Sequence, residues 1–316
     1  MAENSNIEWT DHTISFWWGC EKISPACTNC YADTLAKRYG DDIWGKGKPR
    51  RKIKSAVENL LKLNEKAKAA GRVDKVFINS MSDFFEADTG QLIIDHQGNA
   101  LDTTLADIRR EAFEVFDQCS NLALLLLTKR PENIRNMWPV AYPAHSQDWP
   151  RTKSESLHRR NVWLGTTVEN QRSYDERIED LHNVQDLCKF RFLSCEPLLG
   201  PLQLALPQYP VDWVIAGGES GPNARPSHPD WFRSLRDQCA DAGVPFHFKQ
   251  WGEWSPGVNF DPETIHDMRI DLKGQNVTHS PDLHDESDAF MDRVGKKNAG
   301  RLLDGVEHNG TPKGFK

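Results

Sequence analysis

Three cysteines fall within eleven residues, as Gly19-Cys20 followed by Ser24-Pro25-Ala26-Cys27-Thr28-Asn29-Cys30-Tyr31. A loop so spaced, with a proline between its first two sulfurs, can fold three thiolates around one centre. Gly19 frees the entry to the loop, and a helix opening near Asn29 would set backbone N–H groups beside the sulfurs and favour their ionised form. Three ligands are one short of a closed zinc site, or of an iron–sulfur cluster bound by protein at all four irons. Two metal readings follow. One is a cluster with one iron open to a substrate or cofactor; the other is a zinc Cys3His site completed by His12. The plainer reading is three small buried hydrophobes, which is how Cys119, Cys188 and Cys239 read, since they lie in or beside helical patterns.

Six further clusters carry polar chemistry: Ser80-Met81-Ser82-Asp83, Thr128-Lys129-Arg130, Thr166-Thr167-Val168-Glu169-Asn170, Cys195-Glu196-Pro197, Gly217-Gly218-Glu219-Ser220-Gly221 and Gln250-Trp251-Gly252-Glu253. Lys129 and Arg130 could hold a carboxylate or phosphate by charge-assisted hydrogen bonds, or simply face water. Glu169 and Glu196 could bind hydroxyls, orient an amine or move protons, or act as caps and ion pairs. Cys195 could donate a hydrogen atom or pack the rim. Gly217 and Gly218 would let backbone approach a ligand, with successive N–H groups forming an anion nest. Lys249, beside Trp251 and Trp254, and the pair Trp17-Trp18 offer a cation and flat rings suited to a nucleobase, or barrel-end packing.

The elements that must position these residues alternate. Apolar runs at Ile14–Trp18, Lys75–Asn79, Leu122–Leu127, Asn161–Gly165, Phe190–Ser194, Asp212–Ala216 and Pro245–Lys249 predict strands. Amphipathic patterns at Asn29–Tyr39, Ser55–Ala70, Thr104–Cys119, Pro131–Trp138, Arg172–Leu187 and Asp230–Ala242 predict helices between them. Such alternation predicts an α/β fold, a partial (β/α) barrel of six or seven parallel strands, with a doubly wound open sheet as the alternative. Each polar cluster ends a strand, the rim where barrel enzymes keep their chemistry. Ala87–Asp102 and Ala141–Arg160 read as insertions. Residues 1–254 form the expected barrel, and 255–316 an irregular polar C-terminal appendage.

With 316 residues, 38% hydrophobic and 27% charged, the chain can bury a sizeable core. Its aliphatic runs are too short for a bilayer span, so no membrane association is expected, and seven cysteines behind a start without signal character predict a reducing cytoplasm. A net charge of −7 argues against non-specific coating of nucleic acid, yet Lys37, Arg38, Lys46, Lys48, Arg50, Arg51, Lys52 and Lys54 make one basic segment that could grip phosphates or be a solvated face. Acidic residues concentrate between Asp261 and Asp292.

A three-cysteine loop after the first strand of a partial (β/α) barrel resembles the radical S-adenosylmethionine superfamily. More closely, the series Trp9-Thr10-Asp11, Gly19-Cys20, Cys27 to Ala32, Asn79 to Asp83, Leu127 to Glu132, Val162 to Asn170, Arg191 to Pro201, Asp212 to Pro226 and Lys249 to Trp254 resembles a phage- and prophage-borne family of radical-S-adenosylmethionine-like proteins, over about residues 7 to 254. The resemblance implies a 4Fe-4S cluster on Cys20, Cys27 and Cys30 whose fourth iron chelates S-adenosylmethionine. An external one-electron reductant then drives cleavage to methionine and a 5′-deoxyadenosyl radical, which abstracts hydrogen from the substrate. It also implies that Asp83 binds the cofactor's amino group and that Gly217, Gly218 and Glu219 line its methionine or ribose. Tyr31, Lys129, Arg130 and Glu169 join the cofactor set, and Cys195, Glu196 and Lys249 the catalytic one. The loop departs from the superfamily pattern, with six residues between its first two cysteines instead of three, and with the aromatic Tyr31 after the last cysteine rather than before it. The expected substrate is a modified nucleobase in phage DNA, undergoing isomerisation or another rearrangement. The alternative is a zinc-stabilised barrel that binds nucleic acid or a partner without catalysis.

Overall fold

The computed structural model describes residues 2–139, 157–257, 268–274 and 287–314. Six of the predicted runs form β2 (Asp74–Ile78), β3 (Leu122–Thr128), β4 (Arg159–Thr167), β5 (Cys188–Cys195), β6 (Trp213–Gly217) and β7 (Phe246–Gln250), whereas the first strand, β1, is His12–Ile14 and shares only Ile14 with the predicted Ile14–Trp18. They take their places in one sheet in the order of the sequence, behind an outer strand Ala2–Glu3 that pairs antiparallel with β1. A doubly wound sheet reverses its order at a switch point, and this sheet does not. The architecture is therefore a half-barrel of seven parallel strands. Its helices are α1 (Tyr31–Arg38), α2 (Ala56–Ala69), α3 (Leu105–Phe116), α4 (Gln171–His182) and α5 (Pro229–Ala242), with the single turns Pro131–Asn133 and Ile134–Met137 between α3 and β4. The chain clusters into two compact units, residues 1–166 with 177–192 and 313–316, and residues 167–176 with 193–312.

In the first unit β3 reads LALLLLT and is buried almost throughout, as expected of a strand covered on both faces. Its parallel register with β2 pairs Asp74 with Leu122 and Ile78 with Leu126. An aromatic core of Phe16, Trp17, Phe84, Phe85, Phe113 and Phe116 packs largely edge to face. Burying each such ring is worth about 1.5–3 kcal/mol. Helix α3 starts at a capping box, Thr104 with Asp107, and sends Arg109 inward to the carbonyls of Phe84 (2.9 Å) and Glu86 (2.8 Å), fixing the segment after β2. The predicted insertion Ala87–Asp102 contributes a short strand, Ile93–Ile94, to a small sheet with Arg50–Lys52 and Trp17–Trp18. The other insertion, Ala141–Arg160, lies outside the described residues except for 157–160, as does most of the acidic run.

In the second unit β6 is buried at every position and pairs parallel with β7. Phe232 of α5 sits edge-on against Phe248 and Trp251, and Gly243, at φ 67°, ends the helix as its sequence position predicts. The expected irregular appendage carries some regular structure. Trp254–Pro256, Ala289–Arg293 and Met268–Ile270 form a small antiparallel sheet around Ala224, Trp254, Ile270 and Met291. Residues 300–310 then run along β7, where Gly310 N–H donates to the Phe246 carbonyl (2.9 Å) and Phe248 N–H to that of His308 (3.0 Å).

Candidate functional site

The cysteine loop opens after β1, directly past the short strand Trp17–Trp18, through Gly19, whose φ is +104°. A Cβ there would lie 2.5 Å from the Ile43 carbonyl oxygen, so glycine is required both for backbone conformation and for space. Cys20 follows, Cys27 closes a turn of 3-10 helix over Pro25–Cys27, and Cys30 stands at the N-cap of α1. Of the seven cysteines these three are partly exposed, and Cys119, Cys188, Cys195 and Cys239 are buried.

Two buried ion pairs hold the first sulfur's surroundings. Arg50 and Glu86 make a two-bond pair (2.8 and 2.6 Å), Arg50 also donates to the Lys48 carbonyl (2.8 Å), and Glu86 accepts the Glu21 N–H (3.0 Å). Arg130 donates to Asp83 (3.0 Å) and to the Glu21 carbonyl (2.9 Å), and its Nη1 stands 3.8 Å from Cys20 Sγ. Asp83 is the hub beneath. Its carboxylate also accepts from Thr128 Oγ1 (2.6 Å) and from the N–H groups of Phe85 (3.0 Å) and Lys129 (3.0 Å). Asp83 thus caps its own segment and orients Arg130. Tyr31 is largely exposed, and its hydroxyl donates to the Ser80 carbonyl (2.6 Å), tying the start of α1 to the end of β2.

The sulfurs differ in their fields. Burial pushes the Cys20 thiol well up, and Asp83 and Glu86 add to this against the opposing Arg130. Burial also works against the Cys27 thiolate, but the Lys129 ammonium and hydrogen bonds from Ile23 and Ser24 outweigh it and hold Cys27 below the ordinary thiol value. Among the described residues no three His, Cys, Asp or Glu groups stand as a set able to hold one metal ion. A four-iron cluster makes a different demand, because each thiolate binds a separate iron. The soft, partly exposed donors, one short of four and set beside Lys129 and Arg130, fit such a cluster. They do not fit zinc with His12. Both nitrogens of His12 are engaged, Nδ1 accepting from Asn4 N–H (3.2 Å) and Nε2 facing Asp74 (3.4 Å).

The second unit gathers the other candidates. Lys249 Nζ and Glu196 Oε1 form an ion pair at 2.9 Å, both side chains partly exposed, and Ser194 Oγ donates to Glu196 Oε2 (3.2 Å). Gly217 leaves room for that pair, since a Cβ would lie 3.1 Å from Glu196 Oε1. Gly218 serves a different end from the one expected of it. Its close approach is to the Trp251 carbonyl, where a Cβ would come within 1.9 Å, and Gly252 reciprocates against the Glu219 carbonyl. Glu219 is filled by Arg225, which donates to it through its backbone N–H (2.8 Å), Nε (2.8 Å) and Nη2 (2.5 Å). Glu169 is wholly buried, and Asn170 takes up a capping role, its Oδ1 accepting the Ser173 N–H (3.0 Å).

Three expectations are corrected here. Cys195 is wholly buried, its thiol driven well above the ordinary value by that burial, so it presents nothing to a substrate. Trp17, Trp251 and Trp254 are core residues rather than stacking platforms, the last two with indole N–H groups given to the carbonyls of Leu302 and Ala224. Much of the basic segment is paired internally. Arg50 serves Glu86, Arg51 bonds Asp41 and lies 4.5 Å over Trp18, and Lys52 meets Glu111. The residues the sequence reading missed are Glu86 and Arg225. A carboxylate three positions after Asp83, and an arginine six after Glu219, were visible as charges but not as partners.

The fold and site together define an α/β half-barrel with a thiol loop after its first strand. The chain belongs to the family described as a protein of unknown function, DUF5131, which matches residues 4–312. No curated protein matches it. Among solved structures it is similar to a doubly substituted spore photoproduct lyase with bound AdoMet and a dinucleoside spore photoproduct, at 12% identity and a TM-score of 0.40. That similarity covers 77% of this chain and 57% of the lyase chain, so the match spans less than two thirds of the lyase's length. No described helix is long and apolar enough to cross a membrane.

Proposed function

We propose that this chain is a radical S-adenosylmethionine enzyme whose 4Fe-4S cluster is held by Cys20, Cys27 and Cys30. One observation carries the reading: the three partly exposed cysteines lie in a single loop after β1, beside the cations Arg130 and Lys129. When bound, the cluster supplies the electron that cleaves S-adenosylmethionine to methionine and a hydrogen-abstracting 5′-deoxyadenosyl radical. The protein's own part is to hold and orient. Gly19 sets the loop's exit, the Arg50–Glu86 and Arg130–Asp83 pairs fix the peptide after Cys20, and Lys129 favours the Cys27 thiolate. Lys249 and Glu196 form an ion pair suited to orienting a polar group, with Ser194 fixing the other carboxylate oxygen.

A nucleobase substrate now draws on less, since Trp17, Trp251 and Trp254 are core residues and the exposed cations of the basic segment are Lys37, Arg38, Lys46 and Lys54. The test is anaerobic reconstitution with ferrous iron and sulfide, followed by visible absorbance and iron content. Dithionite and S-adenosylmethionine are then added, with and without DNA, and 5′-deoxyadenosine is measured by chromatography. The expected protein is brown and forms 5′-deoxyadenosine, faster with DNA if a base is the substrate, and Cys27→Ala abolishes both colour and product. A colourless wild type containing zinc, or undiminished product from Cys27→Ala, overturns the proposal.

A further inference from the structure

Cys20 is set apart from the other two loop cysteines by what grips the peptide that follows it. The Glu21 N–H donates to Glu86 Oε1 (3.0 Å), and the Glu21 carbonyl accepts from Arg130 Nη2 (2.9 Å). The same guanidinium turns Nη1 to Asp83 Oδ2 (3.0 Å) and to Cys20 Sγ (3.8 Å). Side chains of both Arg130 and Asp83 are more than nine-tenths buried, and Thr128, Phe85 and Lys129 fix Asp83 independently. The fork of Arg130 is therefore aimed at the sulfur by the fold itself, before any ligand arrives. Cys27 instead has the Ser24 hydroxyl at 3.7 Å, with the Lys129 ammonium acting on it through its charge.

We propose, resting on the cluster reading above, that Arg130 is a positioning residue for the Cys20 thiolate and makes the bound cluster easier to reduce. Reduction adds one electron from an external donor and breaks no bond, so the cluster becomes more negative by one charge. A fixed cation hydrogen-bonded to a ligating sulfur stabilises that added charge, and hydrogen bonds to cluster sulfurs together with local charge are what set such potentials. Asp83 acts through Arg130, and Glu86 with Arg50 holds the other side of the Glu21 peptide so that the sulfur cannot move away from the guanidinium.

The test is an EPR-monitored redox titration of the reconstituted full-length chain, with dithionite as reductant and iron content measured in parallel. Arg130→Gln removes the charge and is expected to shift the midpoint to more negative potential at near-normal iron content. Arg130→Lys keeps the charge but cannot span Cys20 Sγ and the Glu21 carbonyl together, so a smaller shift in the same direction is expected. If Arg130→Gln fails to fold, Arg130→Lys against wild type decides the matter. Lys54→Gln, an exposed charge change, is expected to leave the potential where it is. Equal midpoints in wild type and the folded Arg130 variants at equal iron content overturn this inference alone, whereas a wild type that assembles no cluster overturns it together with the reading beneath it.

Discussion

At position 19 the chain can carry nothing larger than hydrogen. The Ile43 carbonyl sits 2.5 Å and Arg50 Cδ 3.0 Å from where a Cβ would be, and the backbone is already in the region that L side chains avoid. Gly19→Ala is expected to cost about 1–3 kcal/mol, read by chemical denaturation. Because the strain falls between β1 and Cys20, the variant should also take up less iron on reconstitution. Wild-type stability and iron content in Gly19→Ala would show that the loop's entry is not fixed as described. The Arg50–Glu86 pair that crowds Gly19 is the harder element to alter, since removing one partner of a buried pair costs about 3–5 kcal/mol while its counterpart stays charged in a dry environment.

Among the elements, α5 has a cap that titrates. His228 Nδ1 accepts the Asp230 N–H (3.1 Å), and Nε2 lies 2.9 Å from the Ser287 carbonyl, an arrangement that needs the neutral ring carrying its proton on Nε2. Burial holds the His228 pKa below the usual histidine value, despite opposing pulls from the Ser287 carbonyl and Asp230. The unfolded chain therefore binds this proton first on acidification. The cap's contribution is complete above about pH 6.5, the ordinary histidine value, and declines as pH falls below it. Thermal melts across pH 7.5 to 5 should show that loss in wild type and a flatter profile in His228→Asn, whose amide caps without titrating; parallel profiles would assign the acid sensitivity elsewhere. All strands but the first and most helices were legible because burial leaves its mark in the sequence: LALLLLT is apolar throughout and short, as a strand covered on both faces is, and Gly243 announces the end of α5. Glycines and tryptophans at the strand ends were legible in place but not in role. Gly218 answers to the Trp251 carbonyl, Glu219 to Arg225 and Trp254 to Ala224. Each is a partnership across tens of residues or within a loop of no fixed period, and a single sequence does not carry such pairings. The cysteine loop was legible in place because its spacing lies in nearly consecutive residues.

At the scale of the molecule, an open half-barrel has two edges to protect, and each is closed within its own unit. Ala2–Glu3 pairs with β1, while residues 300–310 run beside β7 and accept the Trp213 indole N–H at Gly310 (2.7 Å). Deleting residues 300–316 is expected to bare β7 and the rings behind it, seen as aggregation on concentration and faster proteolysis; a monodisperse, resistant truncation would show the segment to be dispensable. The distribution of sulfur over the whole chain matters as well. Burial keeps the Cys119 and Cys239 thiols near a pKa of about 12, hence protonated and inert, and pushes Cys20 up likewise, while Cys27 is partly exposed and held below the ordinary thiol value. Damage by air should accordingly centre on Cys27: peptide mapping of aerobically purified protein should find sulfenic acid and mixed disulfides there first, with the four core thiols intact. Preparations handled in air would then look well folded by every spectroscopic measure of the barrel while having lost the part of the surface on which the proposed chemistry depends.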